Sequence, residues 1–115
     1  MSEAIGQAKA LVELRMSGNM LTEVPKAIGE LENLEILDLK DNRLQGLPDE
    51  LGCLDKLLRL NLEGNQMQVV PLFIGNLYTL SDLNMSINKL KGVPQDSLVN
   101  LRNLTMLDLH QNHFE

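Results

Sequence analysis

Residues 34–42 read Leu34-Glu35-Ile36-Leu37-Asp38-Leu39-Lys40-Asp41-Asn42, and the reading of this stretch decides the fold because it recurs. Leu11–Asn19, Leu57–Asn65, Leu80–Asn88 and Leu104–Asn112 keep the same order: Leu at the first and fourth places, Leu or Met at the sixth, Asn at the ninth. The step is 23 residues, with one of 24 before the last unit. A fixed period of this size marks a stack of identical coils before any local propensity is considered.

The second half of each unit keeps the same phase. Leu21, Val24, Pro25, Ile28 and Leu31 are followed by Leu44, Leu47, Pro48, Leu51 and Leu54, then Met67, Val70, Pro71, Ile74 and Leu77, then Leu90, Val93, Pro94, Leu98 and Leu101. All four prolines are in this register. Within each unit the central segment alternates with period two, so Leu37 and Leu39 point to one side of an extended strand and Asp38 to the other. The Asn is expected to close the strand by bonding backbone groups of the bend and of the next repeat. Proline, lacking an N–H, belongs on the outer side where no sheet pairing is needed. The outer segments are too short for full helices and are predicted to form single helical or 3₁₀ turns. Bulkier outer turns against tightly spaced parallel strands bend the array, with the sheet on its inner face.

These motifs resemble the leucine-rich-repeat superfamily over Leu11 to Phe114. The resemblance implies an α/β fold, a right-handed leucine-rich-repeat solenoid with a curved parallel sheet on the concave side and short turns on the convex side. The predicted organisation is a capping segment over residues 1–10, repeats at 11–33, 34–56, 57–79 and 80–103, and a partial repeat at 104–115. The Leu-Pro-x-x-Leu-Gly-x-Leu run from Leu47 to Leu54, with Val70 to Leu77 as its Val-Pro variant, is similar to the cytoplasmic 23-residue class. That class holds the Ras suppressor protein, Scribble-type scaffolds and plant Ras-group proteins. It implies a scaffold or adaptor in intracellular signalling, with a protein partner such as a small GTPase or phosphatase. The alternative is a targeting or regulatory segment of a larger kinase, phosphatase or GTPase. Residues 5–10 are similar to the helical lead-ins of that class and are expected to cap the first repeat. The fourth unit inserts a residue between Pro94 and Leu98 and has Val99 where Gly29, Gly52 and Gly75 stand, so its outer loop is expected to deviate.

Composition narrows the function classes. Aromatic residues are 3% of the chain and Trp is absent, so the core rests on aliphatic side chains suited to uniform layers. The formal charge of −6 repels a phosphate backbone, which argues against nucleic acid. The N-terminus lacks the basic start and apolar core of a secretory signal, and no stretch approaches a membrane span. Cys53, the single cysteine, cannot close an intramolecular disulfide, and it is expected to be buried or half-buried. A cytoplasmic setting is expected, in which the sequons at Asn84 and Asn103 go unused. The fifth unit stops after its bend, leaving Leu104, Leu107, Leu109 and Phe114 open. The chain is then expected to be either a piece of a longer array or self-associating through this end.

The outward strand positions form three columns and are the expected partner-binding residues. They are Glu13, Ile36, Arg59, Asp82 and Met106; Arg15, Asp38, Asn61, Asn84 and Asp108; and Ser17, Lys40, Glu63, Ser86 and His110. Five acids against three bases, with Ile36 and Met106 interspersed, suit a protein surface and would steer a basic segment. All of these columns are expected to be free to vary, since the scaffold chemistry lies elsewhere in the repeat. A second, apolar patch is expected from Val69, Leu72, Phe73 and Tyr78 on the outer side of the third repeat, exposed or folded back into the loop layer. Catalysis, cofactors and metals are not expected. Asp108 and His110 share a strand face but have no nucleophile or oxyanion donor beside them, His110 and His113 lack familiar ligand spacing, and no glycine run matches a phosphate loop.

Overall fold

The computed structural model describes residues 2–93 and 98–114. Five short strands, β1 (Glu13–Arg15), β2 (Ile36–Asp38), β3 (Arg59–Asn61), β4 (Asp82–Asn84) and β5 (Met106–Asp108), form one parallel sheet in chain order. Its register pairs Leu14, Leu37, Leu60, Leu83 and Leu107 across all five strands, as the 23-residue step dictates. The ladder continues past the strand ends, where the N–H of Leu39 donates to the Asn61 carbonyl and that of Leu62 to the Asn84 carbonyl. The result is a leucine-rich-repeat solenoid 42 × 31 × 19 Å in extent.

Between the strands the chain crosses the outer side in 3₁₀ turns at Lys26–Glu30, Asp49–Cys53 and Leu72–Asn76. Each begins after a proline with φ near its fixed value, −65°, −68° and −60° respectively. A relay of tight bonds carries the chain inward: the Ile28 N–H donates to Pro25, Leu31 to Ile28, and Leu34 to Leu31. The same relay runs through Leu51, Leu54 and Leu57 and through Ile74, Leu77 and Leu80. Isoleucine and leucine fall on every third residue of it, so each bond also turns an aliphatic side chain into the core. Leu37, Leu60 and Leu83 are at most 2% exposed, which fixes the phase of the repeat. Leu107, whose strand has a neighbour on one side only, is 40% exposed.

Residues 3–7 form a further 3₁₀ turn stacked on Lys26–Glu30, with Ser2 in the place that proline takes elsewhere. Ile5 and Gly6 stand one period before Ile28 and Gly29, so this lead-in is built as another outer turn. Gly29 lies in a close approach between turns: a methyl added there would strike the carbonyl of Glu50.

The ladder of asparagines joins each coil to the one before it. Asn42 Oδ1 accepts the N–H groups of Asn19 and Leu21, while its amide donates to Met16, Leu39 and Lys40 carbonyls. The expectation that these side chains reach the next repeat is therefore corrected: the chain rises so that the bend of one coil covers the open carbonyls of its predecessor. Asn65, Asn88 and Asn112 repeat the pattern. The residue before each ladder Asn has a left-handed φ of 54° to 71°, at Gly18, Asp41, Gly64, Ile87 and Gln111.

Two sequence expectations, for Cys53 and Ser86, need correction. Cys53 is exposed, because it ends an outer turn in the column of Glu30 and Asn76, which also face solvent. Of the outer patch of the third repeat, Phe73 is folded back and only 5% exposed, its Cβ lying over Gly52, whereas Val69, Leu72 and Tyr78 remain 58% to 77% exposed. Ser86 is fully buried. The deviation expected between Pro94 and Leu98 lies outside the described residues.

Candidate protein-binding face

The sheet brings the first two predicted columns together on one concave face in the predicted register, and backbone bonds past the strand ends carry the third column alongside them. Glu13, Ile36, Arg59, Asp82 and Met106 form the first column. Glu13, Arg59 and Met106 are exposed, and Ile36 and Asp82 half-exposed. Nothing in the backbone requires these side chains.

The second column is different. Asp38, Asn61, Asn84 and Asp108 each turn a side-chain oxygen back to accept the backbone N–H two residues ahead, at 3.0 to 3.1 Å. This Asx-type bond ends the strand and turns the chain towards the bend. The expectation that this column is free to vary is therefore corrected. The signal was present, since four of its five members are Asp or Asn, the types with a side chain short enough for this bond. Only Arg15 departs from it.

The third column is partly closed. Ser86 donates its hydroxyl to Asn84 Oδ1 at 2.7 Å and is sealed between coils, so it leaves the contact surface. Ser17, Lys40, Glu63 and His110 stay at least partly open.

Opposite charges pair within β1 and between neighbouring coils. Arg15 lies 3.3 Å from Glu13 and 3.7 Å from Asp38, Lys40 lies 3.6 Å from Glu63, and Arg59 lies 3.6 Å from Asp82. Exposed pairs of this kind stabilise the fold little, and they hold the long side chains extended over the sheet. At the far end His110 contacts Asp108 through its ring Nδ1 and its backbone N–H. The ring bond, then the backbone bond, lowers the Asp108 carboxyl below its ordinary pKa, against a smaller opposing effect of desolvation. Ser86, in the same column one coil before His110, is buried and bonded to Asn84.

A model of the leucine-rich repeat region matches residues 2–114. The chain belongs to the leucine-rich-repeat family. Its fold is shared with a leucine-rich-repeat protein of Leptospira interrogans, 33% identical over 98% of this chain with a TM-score of 0.87. It is shared too with the ectodomain of the receptor kinase SOBIR1 from Arabidopsis thaliana, 33% identical over 99% with a TM-score of 0.84. A plant peptide hormone receptor, RGFR1, solved in complex with RGF2, is 34% identical over 99% with a TM-score of 0.87. The chain spans 34%, 63% and 19% of those chains respectively, under two thirds of each. No curated protein sequence matches it. Leucine-rich-repeat domains generally mediate protein–protein interaction and are typically non-enzymatic binding modules. Among the described residues no helix is long and apolar enough to cross a membrane.

Proposed function

We propose that this leucine-rich-repeat chain is an interaction scaffold that holds a protein partner on its concave strand face. The first column carries the reading. Arg59 and Met106 are exposed there on rigid strands, make no bond the backbone needs, and are of the types enriched at protein contacts. The net acidic face favours a partner segment with basic residues. The plant receptor solved with its peptide hormone gives a precedent for a peptide partner on a related array.

The setting we propose is cytoplasmic signalling, within the 23-residue class. It is supported by Cys53, the one cysteine, being exposed and unpaired. The similarity to a receptor-kinase ectodomain favours a second reading, in which the chain is the recognition segment of a larger signalling protein.

Affinity capture with the wild-type chain, an Arg59→Glu/Met106→Glu variant and a convex Glu23→Lys/Lys26→Glu control tests the proposal. Partners retained by the control and lost by the strand-face variant support it. Equal retention by all three, with unchanged thermal stability, removes the strand face as the binding surface.

A further inference from the structure

The outer side of the third and fourth coils differs from the rest of the convex surface. No charged residue occurs in the eighteen positions from Gly64 to Ser81, in a chain of which 23% is charged. The change falls at exposed places. Val69, Leu72 and Tyr78 occupy the columns that hold Glu23, Lys26 and Glu32 in the first coil and Gly46, Asp49 and Asp55 in the second. They are 64%, 77% and 58% exposed, and Val99 in the fourth coil is 72% exposed. None of the four belongs to the core cluster, so the fold closes without them.

The charge that flanks them is of one sign. Val69 shares a hollow of about 400 Å³ with Gln68, Lys91, Gly92 and Val93, and Tyr78 shares one of about 500 Å³ with Asn100, Arg102 and Asn103. Each of these two apolar residues thus has a base beside it from the next coil. Every side chain lining the Tyr78 hollow carries a hydrogen-bond donor, and none is a carboxylate. Among the described residues of the fourth outer half, 89–93 and 98–103, the charged ones are Lys89, Lys91 and Arg102. Asp96, the one acid in that stretch of sequence, lies outside the described residues. The outer halves before them are acidic: Glu23, Glu30 and Glu32 against Lys26 in the first, and Asp49, Glu50 and Asp55 against Arg43 and Lys56 in the second.

We propose that this outer face adsorbs to an anionic phospholipid surface, with Val69, Leu72 and Val99 in the headgroup layer and Lys91 and Arg102 against the lipid anions. Charge complementarity selects an anionic surface. Shape selects a bilayer, because side chains that project from a convex face need no matching groove there, and exposed aliphatic groups, a tyrosine and flanking bases are the set that seats a protein at the interface. The net charge of −6 does not prevent it. Screening acts over about 10 Å at 0.1 M salt, a short distance on a molecule 42 Å long, so the membrane meets the field of the near face. The strand face lies on the opposite side of the solenoid and stays open to its own partner.

Sedimentation of the full chain with vesicles of phosphatidylcholine, alone or mixed with phosphatidylserine, tests the proposal. The mixed vesicles should carry the chain down, and added salt should release it. Lys91→Glu and Arg102→Glu should each weaken binding about fivefold or more, and Leu72→Ser about tenfold, with melting temperatures unchanged. Lys26→Glu, in the column of Leu72 but two coils away, should bind as wild type, and so should the strand-face variant Arg59→Glu/Met106→Glu. Glycerophosphoserine, the headgroup without its acyl chains, should not displace the chain. Equal binding to neutral and mixed vesicles, binding to neither, or undiminished binding of Leu72→Ser overturns the proposal. Binding to neither vesicle, together with a captured protein that Leu72→Ser loses, assigns the face to a protein contact instead. The strand-face reading stands or falls separately, on the capture experiment above.

Discussion

The side-chain oxygen of Asn65 accepts the backbone N–H of Leu44, one coil before it, at 3.0 Å. The same side chain donates to the carbonyls of Leu39 and Leu62 at 2.9 and 3.0 Å, and it is 6% exposed. One buried amide thus closes polar groups of two coils that no water can reach.

Replacing Asn65 with Ala leaves the Leu44 N–H bare and takes one of two amide donors from each of the Leu39 and Leu62 carbonyls, which keep Asn42 and Asn88 respectively. A buried unsatisfied group costs about 1–3 kcal/mol, so denaturant titration of Asn65→Ala should show a loss of about that size. Asn19→Ala, at the exposed end of the column where the amide donates only to Ser17, should lose under about 1 kcal/mol. Similar losses at the two positions would show that the ladder is not what joins the coils.

Leu60 and Arg59 are adjacent on β3 and face opposite ways. Leu60→Ala should destabilise by about 2–5 kcal/mol through the cavity it leaves. Arg59→Ala, which removes only an exposed pair with Asp82, should stay within about 1 kcal/mol of wild type. Thermal melts of the two variants check the strand phase directly.

Gly29 has no room for a side chain because the Glu50 carbonyl crosses it. Gly29→Ala is expected to push the outer turns apart and cost about 1–3 kcal/mol. Gly46→Ala, where an added methyl meets nothing within 4 Å, serves as the control and should be nearly neutral. A destabilised Gly46→Ala beside an unaffected Gly29→Ala would refute the close stacking.

Asn84 belongs to the fold as well as to the face, since its side chain accepts both the N–H and the hydroxyl of buried Ser86. Asn84→Ala should lower stability by about 1–2 kcal/mol. A binding defect in that variant therefore has to be compared with its melt, and first-column variants at Arg59 or Met106 are the cleaner probes of contact.

The depressed Asp108 carboxyl gives a pH test with a definite sign. A carboxyl lowered in the folded state stabilises fully above its unfolded pKa of about 3.9, and that contribution disappears as pH falls through the lower folded value. Carbon-detected NMR titration should place the Asp108 midpoint below an ordinary Asp. In His110→Ala the ring bond is gone and the midpoint should rise; an identical midpoint in both chains would exclude the ring as the main cause.

The 23-residue return was enough to determine the solenoid, the strand phase, the aliphatic core and the register of the strands. A side chain's inward or outward direction follows from its place in its own coil, and period two in a strand is a local property. What it touches is not local. Whether Asn65 bonds forwards or backwards, whether Asn84 is free, and whether Ser86 or Phe73 is sealed depend on a neighbour one coil away. That depends on the rise and offset of one coil against the next, which only the stacked structure sets. The left-handed backbone at Ile87 belongs to the same class, because no pattern of residue types states a backbone angle.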